Sequence, residues 1–325
     1  MPKDRVLLLV SLDTEEDNWY RSRDDVTVEN ISELRRLAAL FDRLSVRPTY
    51  FTTYHVAKEP RAADVLREVC DGDRGEIGAH LHPWNTPPLT EAFVARNSML
   101  KNLPAELQLA KLRELTAALE QAFGRTPRSF RAGRYGLGPD TVASLGACGY
   151  RVDSSVSPFI NLEKMDDGPT FVGAPITPYR LGDHDVRQPD PGGPVLEIPL
   201  SYGFNRNPFG FWDPARRLLE ATPFRWLHLA GIAHRTGLLR RVSLSPELHS
   251  VADMLTLSRR LLEQGVPYLQ LAWHTPSLKP GLSPFAATAA DVARLYAAVE
   301  AYLEGLARMT SLTFATLSEA AALLG

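Results

Sequence analysis

An α/β fold, a distorted barrel of seven or eight parallel strands each followed by a helix or an excursion, is predicted by three observations. Apolar runs of strand length alternate with segments of helical periodicity along most of the chain. The first run, Val6-Leu7-Leu8-Leu9-Val10, is apolar without a break, as in a parallel strand buried on both faces. The residues able to do chemistry share one address, the carboxyl end of a strand, where barrels of this kind build their sites.

The first strand, 5–12, runs into Asp13-Thr14-Glu15-Glu16-Asp17. Asp13 and Glu15 are two apart and share a face, so one carboxylate could bind metal while the other handles protons. Glu16 and Asp17 read as a solvated loop. Ile31, Leu34, Leu37, Ala38, Phe41 and Leu44 recur at helical spacing, and 48–53 reads as the second strand. A helix over 61–70 leads through a glycine turn into Glu76-Ile77-Gly78-Ala79-His80-Leu81-His82-Pro83-Trp84. There Ile77, Ala79 and Leu81 alternate with Gly78, His80 and His82, so both imidazoles point to one face. Pro83 cannot donate to a continuing ladder, which puts the pair at the strand's end.

A helix over 106–123 carries the stripe Leu107, Leu109, Leu112, Leu115, Leu119 and Phe123. Strand 129–138, Ser-Phe-Arg-Ala-Gly-Arg-Tyr-Gly-Leu-Gly, breaks into glycines before a helix over 139–148. Arg131 and Arg134 sit there among glycines, where a guanidinium can clamp a carboxylate. After a short strand over 151–155, residues 156–194 are rich in proline and glycine and predict a long surface excursion that lines the site. Strand 195–200 follows. Residues 201–241 form an aromatic and basic block, either packed helix faces or a lid or lipid-facing surface. A helix over 246–264 precedes strand 267–272, which ends in Trp273-His274-Thr275-Pro276-Ser277. A helix over 287–306, a strand over 312–315 and a helix over 317–324 close the chain.

At 325 residues one domain over 1–325 is expected, with 156–194 and 201–241 as departures from the barrel. The net charge of -2, with signs interspersed, excludes a nucleic-acid footprint. Two cysteines, Cys70 and Cys148, make no disulfide framework and no thiolate metal site. The amino terminus imitates a short signal peptide, but acids from Asp13 onward interrupt it, and no apolar run approaches the ~18 residues of a membrane span. A cytoplasmic protein is expected, with transient contact to the inner face of a membrane through 204–241.

Asp13-Thr14-Glu15, Gly78-Ala79-His80-Leu81-His82-Pro83-Trp84-Asn85, Phe130-Arg131-Ala132-Gly133-Arg134-Tyr135-Gly136-Leu137-Gly138, Val152-Asp153-Ser154-Ser155, Glu197-Ile198-Pro199 and His274-Thr275-Pro276-Ser277 together resemble the NodB-type polysaccharide deacetylases. They resemble most the branch named for the lipopolysaccharide-biosynthesis protein WalW. The resemblance implies a divalent metal, zinc first and cobalt, nickel or manganese as alternatives, that serves hydrolysis of an N-acetyl group from a sugar of a glycan or glycolipid. It implies Asp13 as general base, Glu15 and His80 as metal ligands, Arg131 orienting Asp13, and His274 as general acid. Trp84, Arg134 and Tyr135 are expected at the substrate.

One departure bears on the metal. The family usually spaces its metal histidines four apart, and position 84 here is Trp. His82 is the substitute on the same strand face, one of the two histidines could be dispensable, or the site could be degenerate. Two rivals therefore stand beside the sugar deacetylase: an amidohydrolase of a small molecule or secondary metabolite, and a non-catalytic carbohydrate-binding barrel.

Overall fold

The sheet is built around β1 (Arg5–Thr14), whose residues from Leu7 to Val10 and Leu12 are at most 1% exposed. Such a strand needs partners on both edges and cover on both faces, and the chain supplies both. The computed structural model describes residues 5–17, 23–220 and 237–325. Along one edge of β1 runs β10 (Tyr268–His274), in a parallel register that sets Asp13 against His274. The other edge is shared, with β11 (Ser311–Ala315) on Arg5 to Leu9 and β2 (Thr49–Thr52) on Ser11 to Thr14.

From β2 the sheet continues through β3 (Glu76–Leu81), β4 (Ser129–Ala132), β5 (Val152–Asp153) and β7 (Val195–Glu197), all parallel, to an antiparallel edge strand, β6 (Tyr179–Leu181). Among the described residues the sheet thus has nine strands, eight of them parallel, curled into a distorted barrel. The seam between β10 and the segment after β7 is spanned by Leu244, whose N–H donates to Ser201 O and whose carbonyl accepts from Ala272 N–H. A hairpin of β8 (Tyr202–Phe204) and β9 (Arg241–Ser243) stands beside this seam.

Helices cover the outside. Between β1 and β2 lies α1 (Leu34–Leu44), which stops at Ser45 in the left-handed region. Then come α2 (Tyr54–Lys58) and α3 (Pro60–Val69), with Pro60 at its first turn. The longer α4 (Ala105–Phe123) ends at Gly124 with φ +66°, a conformation glycine adopts without a Cβ penalty. Next are α5 (Pro139–Ala147), α6 (Phe209–Glu220), α7 (Val251–Glu263), α8 (Ala289–Ala307) and α9 (Leu317–Leu324). Capping boxes at Thr288 with Asp291 and at Thr316 with Glu319 fix where the last two begin.

Two expectations need correction. Residues 156–194 are a surface excursion only in part, exposed over much of 161–167 and 183–192 and buried elsewhere. Phe171 and Leu181 are fully buried in the cluster around β3, β4 and α4, and the segment supplies β6 to the sheet. Its prolines and glycines interrupt regular hydrogen bonding without preventing burial. Glu16 and Asp17 are not a solvated loop either, being 0% and 7% exposed. Of the aromatic and basic block, Phe204 and Phe209 are core residues, and Arg216, Arg217 and Arg240 pair with Glu220, Asp213 and Asp253. Phe224, Arg225, Trp226 and Arg235 lie outside the described residues. No helix among the described residues is long and apolar enough to cross a membrane.

Candidate active site

Parallel pairing puts every strand's carboxyl end on one rim, and register then decides which side chains meet. Asp13 faces His274 across the β1–β10 ladder, and His80 faces Arg131 across β3–β4. Asp13 accepts from Arg131 Nη1 through Oδ1 at 2.6 Å, while its Oδ2 lies 3.8 Å from His274 Nε2 and 3.9 Å from His80 Nε2. Glu15 is the first residue past β1. Its Oε2 is 3.6 Å from His80 Nε2 and 3.2 Å from His82 Nε2.

Both imidazoles are held by the nitrogen that faces away from Glu15. His80 Nδ1 sits 2.9 Å from Arg131 O, a carbonyl that only accepts, so Nδ1 carries the proton and Nε2 presents its lone pair. His82 Nδ1 is 3.0 Å from Glu16 Oε2, and the indole of Trp84 stacks on the ring, centroids 4.2 Å apart. Asp17 has a different task. It accepts from Glu29 N, Asn30 N and Asn30 Nδ2, tying the chain after β1 to the 3-10 turn at Glu29–Glu33.

The electrostatics follow from this packing. Burial raises the Asp13 carboxyl, but Arg131, His80 and His274 together hold it below the ordinary carboxylate range. Burial likewise works against Glu15 and Glu16, and the histidines bring both down. His82 is raised to about 9, since Glu16 and Glu15 outweigh the loss of water around it. His274 loses water too, yet Glu247, with Glu15 and Asp13, raises it to about 10. Glu247 reaches His274 Nδ1 at 2.8 Å and also accepts from the backbone N–H of His274 and from Ser277 Oγ.

Glu15, His80 and His82 suit a divalent metal. One donor atom from each lies within 4.8 Å of the others, and all three side chains are buried. Ligands at about 2.1 Å in a tetrahedron stand about 3.4 Å apart, and the two imidazoles stand 3.6 and 3.2 Å from the carboxylate oxygen. A carboxylate with two imidazoles is also the donor set and ligand number of a catalytic zinc site, and each imidazole has the anchored second nitrogen that fixes a ligand's tautomer.

Beneath the rim, Arg131 is buried and donates four hydrogen bonds. Nε donates to Ser154 O, Nη2 to Ser11 Oγ, and the guanidinium lies 4.3 Å over the Phe51 ring. The segment after β5 that receives it is itself pinned: Asp153 accepts from Ser155 N and Oγ, and Ser155 Oγ accepts from Ala132 N. Glu197 stands beside Asp153 in the ladder, and burial together with that neighbour raises its carboxyl well above the usual range.

Tyr135 lines a small cavity of about 50 Å3, with Asp13, Arg131, His274, Tyr202, Leu200, Leu244, Leu248, Trp273 and Phe285 among its walls. No residue of 156–194 is in that lining. Two residues expected at the substrate are committed elsewhere. Trp84 is only 4% exposed, packed on His82, and Arg134 bonds Ser98 and Asp166. A larger groove of about 810 Å3 between residues 26–35 and 55–65 contains none of Asp13, Glu15, His80, His82, Arg131 and His274.

Gly133 explains how His82 can lie so close to β4. A Cβ there would come 2.6 Å from His82 Cδ2 and 2.7 Å from Leu81 O, distances real Cβ atoms do not show. Gly133→Ala is therefore expected to push His82 aside and weaken Zn2+ binding by about 10- to 100-fold, as other losses of ligand support do. Gly210→Ala, in open space on α6, is expected to leave affinity unchanged. Titration against a chelator measures both.

No sequence-family model and no curated protein sequence matches the chain. Solved structures do resemble it. One, described provisionally as a polysaccharide deacetylase from Mycobacterium smegmatis, has 17% identity and a TM-score of 0.54, with 100% of this chain and 92% of that one covered. Another, described provisionally as a glycoside hydrolase/deacetylase from Parabacteroides distasonis, has 15% identity and a TM-score of 0.61, covering 99% and 71%. At these identities the likeness is one of fold, and it matches the barrel described above.

Proposed function

We propose that the chain is a metal-dependent hydrolase that removes an N-acetyl group from a sugar of a glycan or glycolipid intermediate. The observation that carries this reading is an anionic carboxylate and a cationic imidazole, Asp13 and His274, 3.8 Å apart beside a buried Glu–His–His donor set. A divalent ion held by Glu15, His80 and His82 supplies Lewis-acid polarisation of a carbonyl and acidifies water. Zinc is the first choice for one carboxylate and two imidazoles, with cobalt, nickel or manganese as substitutes.

The chain's own residues divide the proton work. Asp13, ionised and with Oδ1 tied to Arg131, takes the proton of the attacking water on Oδ2. His274, protonated and held at Nδ1 by Glu247, gives a proton from Nε2 to the leaving amine. Tyr135 and Tyr202, with Leu200, Leu244 and Leu248, bound the space for the acyl group. That space is small and walled largely by apolar side chains, which favours a short acyl group.

The motif resemblance and the names of the two structural neighbours support a carbohydrate as the substrate. The WalW-like motifs support a place in cell-surface polysaccharide or lipopolysaccharide biosynthesis, in the cytoplasm. Exposed Phe211 and Leu218 on α6, with Arg217 beside Leu218, support transient contact with the membrane's inner face. We take residues 1–325 as one domain. Acetate release from N-acetylated oligosaccharides and glycolipids tests the reading: metal-dependent release, much slower from the N-hexanoyl analogue, is expected. Release only from small non-sugar amides would contradict it.

Glu247 gives this reading a pH signature. An acid is lost as pH rises through its pKa, and Glu247 holds that of His274 near 10. Glu247→Gln removes the charge, so the alkaline limb of kcat/KM is expected to move down by about one unit or more while the acidic limb stays. The same pair contributes stability that is fully present below about 6.5, the ordinary histidine value, and is lost as pH rises towards 10. Rate profiles and melts over that range check both.

A further inference from the structure

Lys111 is a lysine with no exposed surface, on the buried face of α4 beside Leu112 and Leu115. Its Nζ donates to three backbone carbonyls, Pro83 O at 2.8 Å, Thr86 O at 2.7 Å and Pro88 O at 2.8 Å, and lies 3.1 Å from Glu91 Oε2. An ammonium has three donors and no acceptor, and here all three are used on one loop. That loop contains Pro83, Pro87 and Pro88, which have no N–H, while Asn85 N and Thr86 N both turn back to His82 O. Its carbonyls therefore converge inward with no ladder to meet them, and converging carbonyl dipoles need a cation. A second cation, Arg23, reaches Trp84 O at 2.7 Å and Glu91 at 2.9 Å.

We infer that Lys111 is a positioning residue for the candidate metal site, a built-in cation that folds residues 83–88 into the one shape that seats Trp84 on the His82 ring. The loop begins immediately after His82, which is one residue past β3, donates to His82 O from Asn85 N and Thr86 N, and stacks on the imidazole, so its order and the aim of His82 Nε2 at Glu15 are one property. The inference rests on the Glu15–His80–His82 reading for its effect on metal and is independent of deacetylation.

The test uses the full chain with Lys111→Ala and Lys111→Met, read by amide hydrogen exchange over 83–88 and by Co2+ titration. Expected are exchange at least about tenfold faster in that loop and Co2+ binding weaker by about 10- to 100-fold. In Lys111→Ala, n-propylammonium chloride is expected to restore both in part, where sodium chloride at equal ionic strength does not. Should neither variant fold, Glu91→Gln, which keeps the ammonium and removes its counter-charge, is expected to speed exchange in 83–88 several-fold. Exchange and Co2+ affinity within twofold of wild type in a folded Lys111→Met, no response of folded Lys111→Ala to the amine, or unchanged exchange in Glu91→Gln would overturn the inference. If wild type binds no Co2+, the metal reading fails and the exchange data alone decide the role of Lys111.

Discussion

Asp13→Asn is expected to lower kcat for acetate release by about 10^3-fold, inside the range of a lost general base, while metal content stays at the wild-type level. Asparagine is nearly isosteric and keeps an oxygen for Arg131 Nη1, so the packing between β1 and β4 survives. What it lacks is the negative charge that makes Oδ2 a proton acceptor between His80 and His274. The Asp13 carboxyl is held ionised by Arg131, His80 and His274. Steady-state kinetics with elemental analysis of the same samples separate the base from the ligands. A kcat within tenfold of wild type would remove Asp13 from the proton-transfer role.

Arg131→Met should be the most destabilising single change in the site. The guanidinium is buried, paired at 2.6 Å with Asp13, and bonded to Ser154 O and Ser11 Oγ. Removing one partner of such a pair strands the other charge, at a cost of about 3–5 kcal/mol. For a chain of this size that corresponds to a fall in Tm of roughly 4–7 °C. Lysine cannot repair it, because one ammonium does not reproduce a planar fork that reaches Asp13, Ser11 and Ser154 together. The double variant with Asp13→Asn should lose less than the sum of the two single losses, since the stranded charge is then absent. Additive losses would mean that the two residues are not energetically a pair.

How much of this was legible in the sequence depends on where each residue sits. A common address at strand ends singles out Asp13, His80, Arg131 and His274, and register brings them together by setting Asp13 against His274 and His80 against Arg131. His82 was found by alternation, since it still follows the β3 pleat one residue past the strand's end. Alternation failed at Glu16. β1 ends at Thr14, so after Glu15 the chain turns and period two no longer says which way a side chain points. Glu247 was invisible for a related reason. It lies in a turn between β9 and α7, and nothing local marks it as the partner of a histidine 27 residues away.

An arginine among glycines and a tryptophan beside histidines suggest substrate contact, and the sequence does not announce the partners the structure gives them, Ser98 and Asp166 for Arg134 and His82 for Trp84. The proline-rich segment 156–194 is legible only in part, because composition reports hydrogen-bonding capacity and not burial. Phe171, Tyr179 and Leu181 supplied the missing signal, apolar anchors spaced through an otherwise irregular stretch.

Metal-dependent hydrolysis requires Glu15, His80 and His82 to act as one donor set, and elemental analysis of metal per chain tests that directly. Wild type incubated with Zn2+ and dialysed is expected to hold about one ion, with Glu15→Ala and His82→Ala each near zero and His80→Ala reduced at least tenfold in affinity. A wild-type chain that stays empty with Zn2+, Co2+, Ni2+ and Mn2+ alike, or a Glu15→Ala chain that loads fully, would contradict it.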